Sequence, residues 1–531
     1  MLTNYRDFMD EQIRKYPTVP MYAYRDRVTK QRVEVLPAQF KESALRLAAY
    51  LLKEGYEHKH VGIFSPNSYH FILARQALLC CGCTVVMLDI RMETAELKGL
   101  VEDSDCCAIF CAEESRERAE EIAKDCGVSL LYMSRIDEYM KIGGECRAEG
   151  KCMAEEVEID PDALAFLFYT SGTTGRNKGV MLSQRNYIFP KIMEYEQETW
   201  ATGDNILVLP FTHVMSETAH LNAMFSGHTL YINQNIRHLF DEMLEEKPEI
   251  MVLVPLFVQA FMDQLWKTIR DEGREEEVRK QIEENSKNES LTLDDKREMF
   301  AHELSIFGGR LYKLISGGAP IAPRLIREFQ DFGIDVLCGY GSSECAGVIS
   351  VNLYGHNRVG SSGFTLKNTE IRIDHPDKNG IGEICIKGDH VMMGYYKKPK
   401  ETEEVLRDGW VHSGDCGYFD EDHYLYVTGR IKNLIILSNG ENVSPEEIER
   451  RIARNPAVKE VQVYAEDESI VAEIYPDYDY FKAFKIENGE ETLRQYVLDL
   501  NEELADYKRI HQIRIRKDPF EKTSTGKIKR K

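Results

Sequence analysis

A string rich in glycine and hydroxyl residues is the clearest sign of chemistry in this sequence. Residues 169–179 read YTSGTTGRNKG and follow an apolar run over residues 163–168. Its glycines and its Ser and Thr side chains offer many N–H and O–H donors in one flexible loop, which suits the binding of phosphate oxygens. The string is not a Walker A motif, because Lys178 is followed by Gly179 and not by Ser or Thr. The alternative is a polar surface loop.

Four further strings follow in order along the chain: Tyr340-Gly341-Ser342-Ser343-Glu344, Trp410-Val411-His412-Ser413-Gly414-Asp415, Gly429-Arg430-Ile431-Lys432-Asn433 and Lys522-Thr523-Ser524-Thr525-Gly526-Lys527. Together with the first string they resemble the ordered signatures of the adenylate-forming superfamily, which includes acyl-CoA synthetases, peptide-synthetase adenylation domains and luciferases. Ser343 stands where that family usually has Thr, and Asn433 stands where it often has an acidic residue.

The resemblance implies an ATP-dependent acid:thiol ligase. Such an enzyme converts a carboxylic acid to acyl-AMP with release of pyrophosphate, and then passes the acyl group to a thiol. Two anions must first be brought together, so positive charge and donors must gather around the phosphates. The resemblance assigns the ATP phosphates to Thr170, Ser171, Gly172, Thr173, Thr174, Gly175 and Lys178. It assigns Mg²⁺, a hard cation that prefers oxygen ligands, to Thr170 and Glu344.

The other site residues are also carried over from the family. Tyr340 is expected to stack on adenine, and Asp415 and Arg430 to bind the ribose. Ser343, Gly318 and Ala319 are further expected ATP contacts, since small residues let a backbone pass close to a ligand. Lys527 is the expected catalytic lysine, placed between the α-phosphate and the attacking carboxylate. Taken alone, its segment has the charge pattern of a basic tail.

For the second half-reaction the resemblance implies a rotation of the C-terminal domain. Lys432 matches the hinge, and the loop with Asn439 and Gly440 is expected to move towards the thiol side of the site. We therefore predict an adenylation domain over residues 1–430 that binds ATP and the acid, and a mobile domain over residues 431–531 that carries the catalytic lysine.

Three segments bear on the acid and the acceptor. Pro210-Phe211-Thr212-His213 resembles a segment of acyl-CoA synthetases in which the histidine borders the acyl pocket, although His213 could also be structural. The strings over residues 315–320 and 437–445 resemble those of long-chain fatty acyl-CoA synthetases. We expect a fatty acid as substrate and CoA as the favoured acceptor. The phosphopantetheine of an acyl carrier protein remains an alternative, and so, less favoured, does an inactive nucleotide-binding protein.

The elements that must position these residues alternate between helical and strand patterns. The alternation over residues 40–112 continues through apolar runs near 163–169, 206–209, 229–232, 250–254, 312–315 and 335–338. It predicts an α/β fold with layered α/β subdomains. Residues 270–303 predict a solvated helical insertion, and residues 359–430 a β-rich lobe. After residue 430 a small α+β unit is expected, with a helix starting at Ser444 and another marked by Leu493, Val497, Leu500 and Leu504.

Composition limits the remaining possibilities. The 531 residues carry a formal charge of −22, which argues against nucleic acid as the main partner. The sequence has neither a visible signal peptide nor an apolar stretch of membrane-spanning length, so we expect a cytoplasmic protein for which peripheral membrane contact stays open. The 13 cysteines include Cys80-Cys81-Gly82-Cys83 and 106–111, which we interpret as buried apolar residues because they lie inside apolar runs. A metal cluster is the less favoured reading.

Overall fold

The computed structural model describes residues 4–171, 177–188, 202–437, 442–466, 469–483, 486–522 and 528–530. Its strands form two large sheets, a smaller five-stranded sheet and, in the C-terminal part, a two-stranded and a three-stranded sheet. Within the described ranges, no helix combines the length and the apolar character that a membrane crossing requires. The mixed α/β architecture confirms the predicted fold class.

The first large sheet has seven strands, with a parallel core and two antiparallel strands at one edge. The core strands are continuous apolar runs because helices cover both faces of the sheet. The strand that begins at Leu164 forms a hairpin with the strand that begins at Asn177, so the glycine-rich string connects two paired strands. In spatial order the strands are Gly394–Tyr395, Asn177–Ser183, Leu164–Ser171, Thr84–Leu88, His60–Phe64, Ala108–Cys111 and Ser129–Tyr132.

The second large sheet has nine strands and includes an N-terminal hairpin that the sequence patterns did not predict. Tyr22 pairs in parallel with Leu230, so this hairpin extends a sheet formed by residues far along the chain. In spatial order the strands are Phe364–Thr365, Gly347–Val351, Asp335–Ser342, Lys313–Ser316, Ile250–Leu253, Asn205–Leu207, Leu230–Ile232, Tyr22–Arg25 and Arg32–Val35.

The helical pattern over residues 40–112 is confirmed by the helices Pro37–Lys53, Tyr69–Cys80 and Thr94–Asp103, whereas several other helices were not predicted. The cysteines of the two clusters are buried, apart from the half-buried Cys107, and belong to neither potential metal-ligand group in the described part of the chain. The helices are Tyr5–Lys15, Pro37–Lys53, Tyr69–Cys80, Thr94–Asp103, Arg116–Cys126, Ile136–Ala148, Val214–Ser226, Leu239–Glu246, Pro255–Asp271, Glu275–Ser286, Leu293–Met299, Ala301–Leu304, Pro323–Asp331 and Pro399–Val405.

The five-stranded sheet confirms the predicted β-rich lobe. Its strands are antiparallel and lie in the order Thr369–Asp374, Gly382–Gly388, Trp410–Phe419 and Leu406–Arg407, with Leu425–Arg430 also paired to the long strand Trp410–Phe419. In the long strand, the three residues Ser413–Asp415 lie opposite the single residue Ile384, because Cys385 pairs with His412 and Glu383 with Cys416. This bulge redirects the side chains of its own residues.

The C-terminal part forms the expected α+β unit around its own apolar core. Ser444 caps the helix Pro445–Ile452 by accepting a hydrogen bond from the Glu447 N–H, with the proline at the first helical position as predicted. Leu493, Val497, Leu500 and Leu504 are all buried. The remaining elements are the strands Ile435–Ile436, Asn442–Val443, Val458–Glu466, Ser469–Pro476 and Gln512–Ile515 and the helices Tyr478–Ala483 and Gly489–Glu503.

A buried ionic network lies beside the segment that carries His213. Arg75 forms an ion pair with Glu217, and both side chains are 0% exposed. The guanidinium Nη2 also lies 3.1 Å from His220 Nδ1, and the Arg75 side chain faces the ring of Phe211 at 5.6 Å. Burial, followed by the charge of Arg75, lowers the pKa of His220 well below its usual value, so His220 is neutral. The network therefore fixes Phe211, two residues before His213.

Breaking this network should destabilise the large domain. The Glu217→Gln variant leaves Arg75 buried without its counter-ion, which we expect to cost about 3–5 kcal/mol in the free energy of unfolding. Urea denaturation followed by circular dichroism measures the shift of the midpoint. Glu138→Gln is the matched control, because Glu138 pairs with Arg135 on the surface, and its midpoint should not change. Equal midpoints for the two variants would contradict a structural role for the buried pair.

Candidate active site

Two residues of the recognised strings, Tyr340 and Arg430, meet at the carboxylate of a third, Asp415. Tyr340 donates its phenolic hydrogen to Asp415 Oδ2 at 2.8 Å, and Arg430 Nε lies 2.8 Å from Asp415 Oδ1. Asp415 is buried, with 7% of its surface exposed, whereas Arg430 is exposed. Burial and the Asp415 charge raise the pKa of Tyr340 well above its usual value, so Tyr340 remains a neutral donor. These are the residues that the sequence analysis expected around adenine and ribose.

The bulge in the five-stranded sheet explains the position of Asp415. Ser413 Oγ donates to the Ile384 carbonyl at 2.6 Å and accepts from the Asp415 N–H at 3.0 Å. Gly414 takes a φ of 68°, in the left-handed region that favours glycine, and its N–H donates to Glu383 at 3.0 Å. The turn is therefore fixed by hydrogen bonds at all three residues, and Asp415 is directed towards Tyr340.

The expected phosphate side is formed by the hairpin and the turn that follows Tyr340. Thr170 pairs with Lys178 across the hairpin. The Lys178 ammonium lies 4.8 Å from the centre of the Tyr395 ring, and the Tyr395 hydroxyl donates to Glu344 Oε1 at 2.8 Å. Tyr395 thus links the lysine expected at the phosphates to the carboxylate expected at Mg²⁺. The side chain of Ser171 and the residues Gly172, Thr173, Thr174 and Gly175 lie outside the described part of the chain.

The oxygen donors present here fit a magnesium ion. A carboxylate offers about four lone-pair sites. Among the described residues the Tyr395 phenol donates to Glu344, which leaves acceptor capacity for a cation. The Thr170 hydroxyl is a second hard oxygen ligand of the type that Mg²⁺ prefers. Ser343 and Glu344 lie in a short 3₁₀ turn directly after the strand that carries Tyr340. The residues expected at the nucleotide and those expected at the metal are therefore contiguous in the chain.

Removing the charge of Glu344 should impair the first half-reaction. For Glu344→Gln we expect a loss of adenylation on the order of 10²-fold, because an amide offers no negative charge to a divalent cation. The measurement is ATP–pyrophosphate exchange over a range of Mg²⁺ concentrations. Tyr395→Phe is the matched variant: it removes one neutral donor and keeps the ring beside Lys178, so its loss should stay within about tenfold. Wild-type exchange in Glu344→Gln would exclude the role of this carboxylate.

His213 belongs to a second polar group. Arg91 binds both oxygens of Asp89, at 2.9 and 2.5 Å, and Arg91 Nη2 lies 2.7 Å from His213 Nε2. Burial raises the pKa of Asp89, but hydrogen bonds from His213 and Arg91 outweigh that effect and hold the pKa well below its usual range. Asn67 fixes the His213 segment by donating to the Leu209 carbonyl at 2.8 Å and accepting from the Phe211 N–H at 3.0 Å.

The small residues after the strand Lys313–Ser316 lie against the same segment. A Cβ atom added to Gly317 would be 3.4 Å from Met215, two residues beyond His213, and one added to Gly318 would be 3.9 Å from it. Gly318 also has a φ of 77°, a conformation that other residues rarely adopt. The string that contains Gly318 and Ala319 therefore lies close to the segment of His213, where the acid is expected.

The predicted hinge is connected through a carboxylate to the helix Pro445–Ile452. Asn433 Nδ2 donates to Glu446 Oε1 at 2.6 Å, and Arg530 Nη2 pairs with the same oxygen at 3.2 Å. Glu446 thus supplies a carboxylate next to the position where the family often has an acidic residue. Burial, followed by the charge of Arg430, lowers the pKa of Lys432.

Lys527, Asn439 and Gly440 also lie outside the described residues. The described residues on both sides of 523–527 have defined partners. Lys522 and Ile528 form a β-bridge. Lys522 Nζ lies 2.6 Å from Glu460, and Arg530 binds both oxygens of Glu449 at 3.0 and 2.7 Å. Lys522 and Arg530, on either side of residues 523–527, therefore both contact the C-terminal unit.

Sequence reasoning missed several residues of this site. Tyr395, Asp89, Arg91 and Asn67 belong to no recognised string, and their contacts join segments that are far apart in the chain. Asn67 follows Pro66 in a turn after a strand, which is a local signal for a polar position. Tyr395 gave no such signal, because it lies in a two-residue strand whose partner is the phosphate-side hairpin.

Comparison with known proteins identifies the family of this chain. Residues 9–396 match the family model described as AMP-binding enzyme, and residues 432–531 match the AMP-binding enzyme C-terminal domain. A long-chain-fatty-acid–CoA ligase, FadD15 of Mycobacterium bovis, is 26% identical over 85% of this chain and 78% of its own. Long chain acyl-CoA synthetase 2 of Arabidopsis thaliana is 26% identical over 88% of this chain and 78% of its own.

A solved structure shows the same fold. The O-succinylbenzoate coenzyme A synthetase MenE of Bacillus subtilis, in complex with ATP and magnesium ion, superimposes with a TM-score of 0.73 at 23% identity over 98% of each chain. The chain belongs to the AMP-binding enzyme family. It is an adenylate-forming ligase of the AMP-forming, acid–thiol type.

Proposed function

We propose that this protein is a fatty acyl-CoA synthetase, which converts a fatty acid and ATP to acyl-AMP and then to an acyl-CoA thioester. The observation that carries the proposal is the convergence of Tyr340 and Arg430 on the buried carboxylate of Asp415. Such a group can accept hydrogen bonds from ribose hydroxyls while the tyrosine ring contacts a base. The fatty acid and CoA are taken from the relatives, whose names describe long-chain fatty acid–CoA ligases and synthetases.

In the first half-reaction a carboxylate oxygen of the acid attacks the α-phosphorus of ATP, and pyrophosphate leaves. Lys178 and the hydroxyl residues of its loop bind the outgoing phosphates, and Lys527 offsets the charge that develops at the α-phosphate. Thr170 and Glu344 would hold Mg²⁺, which supplies positive charge at the phosphate oxygens. Asp415, Arg430 and Tyr340 hold the nucleoside so that the α-phosphate meets the carboxylate.

In the second half-reaction the sulfur of CoA attacks the carbonyl carbon of acyl-AMP, and AMP leaves. We propose that residues 431–531 rotate about Lys432 between the two steps, which removes Lys527 and brings Asn439 and Gly440 to the thiol side. The acceptor thiol attacks directly, so the transfer requires no acyl-enzyme on a cysteine of this chain.

A screen of carboxylic acids tests the proposal. ATP–pyrophosphate exchange is measured with acids from acetate to palmitate, and thioester formation is then measured with CoA and with a phosphopantetheinyl carrier protein in parallel. Exchange stimulated by fatty acids, followed by CoA thioester, is the expected result. Exchange with none of these acids would refute the fatty acid, and transfer to the carrier protein alone would refute CoA as the acceptor.

His213 should affect the acid more than the nucleotide. Replacing it with alanine removes the imidazole that lies 2.7 Å from Arg91, and we expect the KM for the fatty acid to rise by about tenfold, equivalent to the loss of one ordinary contact. The KM for ATP should remain unchanged. His228→Ala is the control, since His228 pairs with Asp204 away from this segment. A rise in the KM for ATP alone would place His213 at the nucleotide and contradict its assignment to the acid.

A further inference from the structure

Four potential metal ligands lie together on one face of the five-stranded sheet. They are Asp374, Glu383, Cys385 and His412, and one ligand atom from each lies within 4.8 Å of the others. We propose that this group is a binding site for a divalent transition-metal ion, with zinc as the best match. Mixed carboxylate, thiolate and imidazole ligands in a four-coordinate set are typical of zinc.

Strand register, and not chance proximity of loops, brings these side chains together. Asp374 lies directly opposite Glu383, and Cys385 lies directly opposite His412. Residues that are directly opposite in an antiparallel pair share a face, and so do residues two apart in one strand. Three neighbouring strands therefore present all four side chains on the same face.

The distance between the sulfur and nitrogen ligand atoms matches tetrahedral zinc. With a Zn–S distance of about 2.3 Å and a Zn–N distance of about 2.0 Å, tetrahedral angles place the two ligand atoms about 3.5 Å apart. Cys385 Sγ lies 3.4 Å from His412 Nδ1. His412 Nδ1 also lies 2.9 Å from Glu383 Oε2, which is a hydrogen-bond distance that needs to open only slightly to admit an ion.

The charges of the group also favour a cation. Two carboxylates directly opposite in a sheet repel each other, and here the pair is Asp374 and Glu383. A bound zinc ion deprotonates a coordinating thiol, so Cys385 would bind as a thiolate and add a negative charge to the group. Arg372 contacts Cys385 and is a positive charge that competes with a metal ion for this group. Its guanidinium has a second partner, the Trp410 ring at 4.5 Å.

The site is accessible and lies next to the ribose-binding turn. The side chains of Asp374, Glu383 and His412 are 27%, 22% and 10% exposed, so an ion can enter from solvent. Glu383 uses its other oxygen, Oε1, to accept from the Gly414 N–H. A metal ion on Oε2 would therefore connect the sheet to the turn that carries Asp415.

Cobalt titration tests the proposal without ATP, acid or CoA, so its outcome is separate from that of the proposed function. The whole protein is treated with a chelator and titrated with Co²⁺, and thiolate-to-cobalt charge-transfer and tetrahedral visible absorption are recorded. We expect a band that saturates at about one equivalent and is displaced by Zn²⁺. Cys385→Ser should abolish the charge-transfer band, and Asp374→Asn should weaken cobalt binding about tenfold or more.

The control is Cys152→Ser, which removes a half-buried thiol that contacts Cys146 in another part of the chain. Its cobalt spectrum should equal that of the wild type. Circular dichroism shows whether each variant is folded. The proposal is overturned if the wild type gives no charge-transfer band, if folded Cys385→Ser keeps the wild-type band, or if Cys152→Ser loses it. Should Cys385→Ser not fold, Asp374→Asn is decisive, because it changes a half-buried side chain and keeps its size. Unchanged cobalt affinity in that variant overturns the proposal.

Discussion

Replacing Lys527 with alanine should lower the rate of adenylation on the order of 10²–10³-fold, the cost of removing one preorganised charge or donor from a transition state. The same variant should form thioester at the wild-type rate when acyl-AMP is supplied, because the proposed rotation removes this lysine before the second step. The measurements are pyrophosphate exchange for the first step and CoA thioester formation from synthetic acyl-AMP for the second.

The matched control for Lys527 is Lys529→Ala. Lys529 lies two residues further on and pairs on the surface with Glu521, so its loss removes the same charge from the same segment. Both half-reactions should remain at the wild-type level. Equal loss of both steps in Lys527→Ala would show that the lysine is needed for folding or nucleotide binding in general, and would refute a role confined to adenylation.

Replacing Asp415 with asparagine should have the second large effect. The amide cannot accept from ribose at both oxygens, and it removes the counter-charge of Arg430, which lies 2.8 Å away. Hydrogen bonds to a charged group contribute about 1.5–3 kcal/mol each. Losing one of them, together with the charge that strengthens the other, should lower kcat/KM for ATP by about 10²–10³-fold, measured by pyrophosphate exchange at varied ATP.

Tyr340→Phe separates the proposed contact of Asp415 with ribose from the hydrogen bond between Tyr340 and Asp415. It removes the hydroxyl that donates to Asp415 at 2.8 Å and keeps the aromatic ring. We expect a loss of about tenfold, as for one neutral hydrogen bond, with no change in the KM for the acid. If Asp415→Asn lost no more than Tyr340→Phe, the carboxylate would serve only to orient the tyrosine, and the proposed ribose contact would be wrong.

The alternation of strand and helix patterns predicted much of the fold. The strand predicted over 335–338 is observed as Asp335–Ser342, so it is longer than its apolar run and includes Tyr340. It continues because the antiparallel strand Gly347–Val351 pairs with the polar and glycine residues that local patterns assign to a loop. The Trp410 string likewise lies within a ten-residue strand.

The sequence predicted the residues expected at the nucleoside more completely than those expected at the phosphates. Tyr340, Asp415 and Arg430 were assigned from recognised strings, and the structure brings them together by hydrogen bonds and an ion pair. Tyr395 was not assigned from any string, although it contacts both Lys178 and Glu344. Its contacts join residues more than fifty positions apart, and such contacts depend on packing that no local pattern contains.

The sequence by itself determined the reaction class, the order of the motifs, the α/β alternation and the separate C-terminal unit, because each depends on residue types and short spacings. Tertiary structure alone decided which strands are neighbours. It placed the hairpin of Tyr22 at the edge of the nine-stranded sheet, directed Asp415 towards Tyr340 through a three-residue bulge, and aligned Cys385 with His412. The reason is physical: register and bulges are set by hydrogen bonding between strands, and the partner of a strand is chosen by how the whole core packs.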